Sequence, residues 1–190
     1  MRHIPLAAFA ILPLTLAACS PETSEEAEQA AEEEERAEAE QQMQEATLDL
    51  QADGIILPAQ GGFEQYAAPF GSTRAATETT LAAVLGEVVE RGENQECGAG
   101  PMQMSTYEGM VLNFQDDTFV GYFAREPYVP ELTRAEMLAD PMVTRVVDST
   151  LGEEFTIGNP EGDVISGLFD GAEDDSAIEA LWAGTNCLFR

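Results

Sequence analysis

Lysine is absent from this 190-residue chain, and histidine occurs once, at His3. Schiff-base chemistry through a lysine is therefore excluded, and a histidine-assisted serine has at most one residue to draw on. No Gly-x-Ser-x-Gly elbow is present, and no Cys-x-x-Cys spacing tunes a redox pair among the three cysteines, Cys19, Cys97 and Cys187. Acid–base chemistry would have to rest on carboxylates, tyrosines or a bound metal. Long apolar runs are missing as well. The longest, residues 4–16, is well short of the 18 or so residues that a membrane-spanning helix needs.

Negative charge is what the chain has in excess. Eight arginines (Arg2, Arg36, Arg74, Arg91, Arg125, Arg134, Arg145, Arg190) face 36 aspartates and glutamates, a formal net charge of −28. Such a surface repels nucleic acid and bare anionic headgroups, so neither is expected as a partner. Cationic proteins, cationic peptides and divalent metals remain. The plainest use of the charge is solubility in a secreted protein.

The amino terminus carries the most specific signal. Met1-Arg2-His3 is positive, residues 4–16 form an apolar stretch of signal-peptide length, and small Ala17 and Ala18 precede Cys19. Leu16-Ala17-Ala18-Cys19 resembles the lipobox of bacterial lipoproteins. That resemblance implies a lipid on the Cys19 sulfur, removal of residues 1–18 and acylation of the new amino terminus, giving a protein anchored to the membrane without spanning it. Ser20, rather than aspartate, follows the cysteine, which by the same resemblance implies the periplasmic face of the outer membrane. An ordinary secretory leader cut elsewhere, or a buried amino-terminal helix, is the alternative. Cleavage before Cys19 would discard His3 and Arg2, leaving seven arginines against 36 carboxylates, a formal −29, and no histidine at all.

Residues 19–53 read as a lipidated cysteine followed by an acidic, disordered or helical tether. The stretch 22–46 contains eleven glutamates and one arginine, Arg36, with no apolar stripe. About 25 residues span roughly 35 Å as a helix and about twice that when extended. From Gly54 the composition becomes globular, and residues 54–190 are expected to form one domain. Ser72 or Thr73 can cap a helix that places Leu81, Val84, Leu85, Val88 and Val89 on one face, ending at Gly86 or Gly92. Strands are expected at 102–104, 111–114 and 119–123, with a hairpin turn at Asp116-Asp117. A short helix at 133–139 should stop before Pro141. Further strands follow at 143–147, 154–157, 164–169 and 178–183, with a turn at 159–163.

This order predicts an α+β fold: one helix-plus-antiparallel-sheet domain after an acidic tether. Phe119-Val120-Gly121-Tyr122-Phe123 and Ile165-Ser166-Gly167-Leu168-Phe169 hint at a weak internal duplication. A repeated helix-plus-strands layout is loosely similar to the β-lactamase-inhibitor-like fold of some envelope lipoproteins, an analogy of architecture alone.

With Cys19 given to lipid, Cys97 and Cys187 are left to pair as a disulfide in an oxidising compartment. Gly98-Ala99-Gly100 opens like a dinucleotide fingerprint, but the next glycine would fall at Gln103 and Pro101 interrupts helix initiation, so a tight turn is expected instead. Thr185-Asn186-Cys187 shares an Asn-Cys pair with aspartate-semialdehyde dehydrogenases, a label borne by some small acidic lipoproteins similar to this one. That enzyme family needs a Rossmann domain, a free nucleophilic cysteine and a histidine, none of which the mature chain offers. No cofactor and no catalytic residue are assigned. Asp170, Glu173, Asp174 and Asp175 fall in one loop with hard oxygen ligands suited to calcium, yet lack the EF-hand pattern, and a solvated loop is the expectation. Glu153-Glu154 and Asp116-Asp117 read as exposed faces. Tyr107, Tyr122, Tyr128 and Trp182 are first of all core residues and secondarily a recognition surface.

The functional expectation is a non-catalytic, membrane-anchored envelope lipoprotein with a binding or structural role. Inhibition of a cationic enzyme such as lysozyme is a narrower version. A carboxylate-dependent enzyme and a divalent-cation binder are the alternatives from other classes.

Overall fold

Thr73 begins the first helix because its Oγ1 accepts a hydrogen bond from the Ala76 amide, satisfying one of the donors a helix start leaves unpaired. The helix, α1, runs over Arg74–Leu85 and buries Thr77, Leu81 and Leu85. Gly86, at φ 70°, closes it with its amide on the Ala82 carbonyl, so Val88 and Val89 leave in extended form. The second helix, α2, is Arg134–Leu138; Thr133 and Glu136 form a reciprocal capping box at its start. In this computed structural model the described residues are 48–59, 64–159 and 161–188, all within the unit Ala39–Arg190. The leader, Cys19 and the acidic stretch 22–46 lie outside the described residues.

Among the described residues eleven strands accompany the helices, and every pairing between them is antiparallel. β1 (Asp49–Gln51), β2 (Gly54–Leu57) and β3 (Tyr66–Pro69) form a small sheet. β4 (Glu90–Asn94), β5 (Met102–Tyr107), β6 (Met110–Gln115) and β7 (Thr118–Ala124) follow α1 as one meander. β8 (Val143–Arg145), β9 (Glu153–Ile157), β10 (Ile165–Phe169) and β11 (Ile178–Gly184) follow α2 as a second. The last strands of the two meanders pair at the centre, giving one sheet in the order β4-β5-β6-β7-β11-β10-β9-β8.

The expected α+β class with mainly antiparallel strands is therefore present, weighted toward sheet. Three particulars differ from the sequence reading. β1 lies ahead of Gly54, where the domain was expected to begin, so the folded chain reaches back at least to Leu48, which is buried. The Phe119 run is the fourth strand of its meander and the Ile165 run the third of its own, so these two runs do not occupy corresponding places. Glu154 is 2% exposed and accepts a 2.5 Å hydrogen bond from the Ser149 hydroxyl rather than sitting on an open face.

One face of the large sheet carries the core. Leu112, Phe114, Phe119 and Tyr122 pack there against Leu81 and Leu85 of α1 and against Ile55 and Leu57 of the small sheet. Phe155, Phe169, Ile178 and Leu181 pack against Met137 of α2. Asp116 and Asp117 both take positive φ, 48° and 58°, in the two-residue turn from β6 to β7, the geometry whose twist suits a hairpin.

Candidate functional site

The other face of the large sheet is crossed by the chain's own end. β11 stops at Gly184, whose φ of 69° turns the backbone, and residues 185–188 then run across β7 and β6. The Thr185 amide bonds the Val120 carbonyl at 2.7 Å, and Asn113 Nδ2 donates to Asn186 Oδ1 at 2.7 Å. Gly121 permits the crossing, because a Cβ there would run into the Thr185 carbonyl oxygen. Cys187 finally reaches Cys97 at disulfide distance, with Cα atoms 5.4 Å apart. Asn113, on this face by register, is buried and bonded to the tail through Thr185 and Asn186.

A cavity of about 660 Å³ opens where this tail leaves the sheet. The β1–β2 turn contributes Asp53, the segment after β3 contributes Phe70, and the loop before β10 contributes Asp163 and Val164. Ser166 and Trp182 come from paired positions on β10 and β11, and Asn186 and Leu188 from the tail. Trp182 is 5% exposed and stacks on Phe123, ring centroids 6.0 Å apart and 16° from parallel. Asp53 and Asp163 are both exposed, and neither forms an ion pair with a described arginine. Asn186 is already engaged, through Asn113 and the Ala183 carbonyl at 2.9 Å. Among the described residues no arginine lines the space.

The arginines are spent elsewhere. Among the described residues each one is ion-paired: Arg74 with Asp117, Arg91 with Glu78, Arg125 with Glu179, Arg134 with Glu153 and Asp174, and Arg145 with Glu153. Arg74 and Arg134, each the first residue of its helix, also lie over the rings of Phe114 and Phe169 and keep a buried Nε without a hydrogen-bond partner. Glu78 is one of two described carboxylates, with Glu136, whose pKa is lowered. Burial alone would raise its pKa, but hydrogen bonds from Ser105 at 2.6 Å and Arg91 at 2.8 Å, with the charges of Arg91 and Arg74, hold it below the ordinary glutamate value.

The sequence-predicted residues are dispersed. Among the described residues no group of three or more histidine, cysteine, aspartate or glutamate side chains is placed to hold a metal ion. Asp170 accepts from the Ala177 amide at 2.9 Å, and Asp174 pairs with Arg134 while its carbonyl accepts from Ala135, so this loop fastens the start of α2. Glu173 accepts the Ser176 amide through its carbonyl, which tightens the same turn, and Asp175 lines a different cavity beside Leu132. Gly98-Ala99-Gly100 forms a turn closed by the Gly100 amide on the Cys97 carbonyl and by Gln115 Nε2 on Ala99 O. Tyr122 is fully buried, its hydroxyl donating to the Gln51 carbonyl. Asp53 and Asp163 carry no local sequence signal, since what joins them is the meeting of two distant turns at the tail.

The chain matches no protein-family model, no curated protein and no solved structure. Its site rests on its own geometry.

Proposed function

We propose that this chain is a lipid-anchored, non-catalytic envelope protein whose α+β domain binds a cationic protein or peptide. The observation that carries this is the distribution of charge. Every described arginine is committed to an internal carboxylate, and the cavity at the sheet's end presents two aspartates that pair with none of the described arginines. Such a surface steers cationic partners and repels anions. The lipobox-like Leu16-Ala17-Ala18-Cys19 supports the anchor, and the acidic stretch 22–46 supports a spacer between membrane and domain. Inhibition of a cationic enzyme of the lysozyme kind is the narrower form of this reading.

The non-catalytic part is supported by the state of the carboxylates. Glu153 is held by two arginines, Glu154 is buried on Ser149, and Glu78 is pushed away from the raised pKa that a general acid requires.

We also infer that the two halves are copies of one unit. Thr73-Arg74-Ala75 and Thr133-Arg134-Ala135 hold the same places. Each threonine caps its helix and forms a bridge to the start of its meander's last strand, Thr73 to Thr118 and Thr133 to Ala177. Each arginine stacks on a phenylalanine of the third strand of its meander.

The test uses the full chain in membranes. Labelled palmitate should enter the wild type and not Cys19→Ser, and crosslinking should recover basic proteins from detergent-solubilised envelopes. Recovery of acidic and neutral proteins in equal measure would sink the charge-based reading.

A further inference from the structure

We propose that residues 185–188 are a strap with Gly184 as its pivot and the Cys97–Cys187 bridge as a redox-sensitive latch. Reduction of the bridge by a dithiol lifts the strap from the sheet and opens the cavity it helps to wall. The strap is built to come away without disturbing the core. Each of its four residues is only half-buried, and the core lies on the opposite face of the sheet, against α1, α2 and the small sheet. Its hold on the strands is polar. The Thr185 amide donates to the Val120 carbonyl. Asn113 Nδ2 donates to Asn186 Oδ1 and, at 3.5 Å, to the Thr185 carbonyl, and Asn94 Nδ2 donates to the Cys187 sulfur at 3.2 Å. Groups of this kind exchange their partners for water at small net cost. Gly121, beneath the Thr185 carbonyl, has no side chain to expose.

Gly184 is exposed at φ 69°, where β11 ends and the strap begins, and a glycine changes its backbone angles there at low cost. Fixed at both ends, the strap re-forms each bond it loses; freed at Cys187, it keeps only those few polar contacts. Asn186 and Leu188 then leave the lining of the cavity. The bridge is open to attack. Cys97 is buried, but Cys187 is half-buried, and the neighbours of Cys97 in its turn, Glu96 and Gly98, are exposed. A dithiol attacks the Cys187 sulfur, the S–S bond breaks, and Cys97 leaves as a thiolate that takes up a proton. The reductant's second thiol displaces Cys187 from the mixed disulfide, so the bridge gains two electrons and two protons and the dithiol departs as a disulfide.

The test follows amide hydrogen exchange in the full chain, oxidised and in excess dithiothreitol. On reduction the Thr185 amide should exchange faster by about tenfold or more while the amides of β6 and β7 keep their protection. Acrylamide should quench Trp182, the single tryptophan and a residue of the cavity lining, about twofold more efficiently. Replacing dithiothreitol by oxidised glutathione should restore both readings. A Thr185 amide equally protected in the two states would overturn the latch, because the strap would be held without it. Strand amides that lose protection together with Thr185 would overturn it too, making the bridge a staple of the whole domain. A strap that stays loose after reoxidation is no switch, and unchanged Trp182 quenching beside a loosened strap would show that the strap does not close the cavity. Cys97→Ser with Cys187→Ser, measured without reductant, should match the reduced wild type; a protected Thr185 amide in that variant would also refute the latch.

Discussion

Glu78 ties α1 to β5 and to the strand beyond it, because one carboxylate serves both the buried Ser105 hydroxyl and Arg91. Glu78→Gln should destabilise the domain by about 1–2 kcal/mol at neutral pH, the cost of weakening two charge-assisted hydrogen bonds. Its folded pKa lies below the unfolded one, so the stability it contributes is present above the ordinary glutamate pKa and is lost as pH falls through the lowered value. Thermal melts of both proteins should accordingly diverge most near neutrality and converge in acid; a gap that stays constant down to the acid limb would contradict the assignment. Tyr107 close by behaves in the opposite sense. Burial first, and then the Glu78 charge, push its phenol up to about 12, so the stability it adds declines from about pH 10, where an unfolded tyrosine ionises, to about 12. Gly167 is a packing constraint of another kind. A methyl there would overlap the Phe155 ring and stand 2.8 Å from a Leu181 methyl, so Gly167→Ala should cost about 1–3 kcal/mol in chemical denaturation.

Among the elements, the crossing tail has the widest influence, since residues 185–188 bond Asn113 and Asn94 and also wall the cavity. Replacing Cys97 and Cys187 together by serine removes a link across a sequence separation of 90 residues. By chain entropy that should cost about 4 kcal/mol, and Trp182 emission should shift red as Asn186 and Leu188 leave its side. A variant with unchanged stability and emission would show that the tail is held without the bridge. The sequence announced some elements and hid others for physical reasons. Thr73 and Thr133 are local stereochemical signals and marked the starts of α1 and α2, while the end of α1 stayed open between Gly86 and Gly92 until packing decided for Gly86. Asp116-Asp117 marked its hairpin in the same way. β1 to β4 were not legible: Asp49-Leu50-Gln51, Tyr66-Ala67-Ala68-Pro69 and Glu90-Arg91-Gly92-Glu93-Asn94 lack the apolar alternation of half-buried strands and are set by their neighbours' register, and the apolar run Ile55-Ile56-Leu57 is too short to mark a strand by itself. Glu153 and Glu154 misled for a related reason, since a strand sends adjacent side chains to opposite faces and one of them met Ser149 under a loop.

Over the whole molecule, charge repulsion and sheet connectivity set the behaviour. A chain at formal −28 repels itself, so moderate salt should raise its melting temperature and, on the proposed reading of a cationic partner, weaken that binding. Melts and titrations over 10–300 mM NaCl check both trends, and a binding constant indifferent to salt would remove electrostatics as the source of recognition. The connectivity has a different effect. The two four-strand halves are joined along the chain by residues 125–133, where Glu126, Pro127, Glu131 and Leu132 are exposed, and by two further routes: the β7–β11 ladder and the link from Cys97 in the first half to Cys187 in the second. A peptide bond cut in that exposed passage would therefore leave the halves both hydrogen-bonded and covalently joined. On a gel the nicked protein should migrate as one species until reductant is added and as two fragments afterwards. A protein built this way outlasts its own continuity: a protease can break the chain without dismantling the domain.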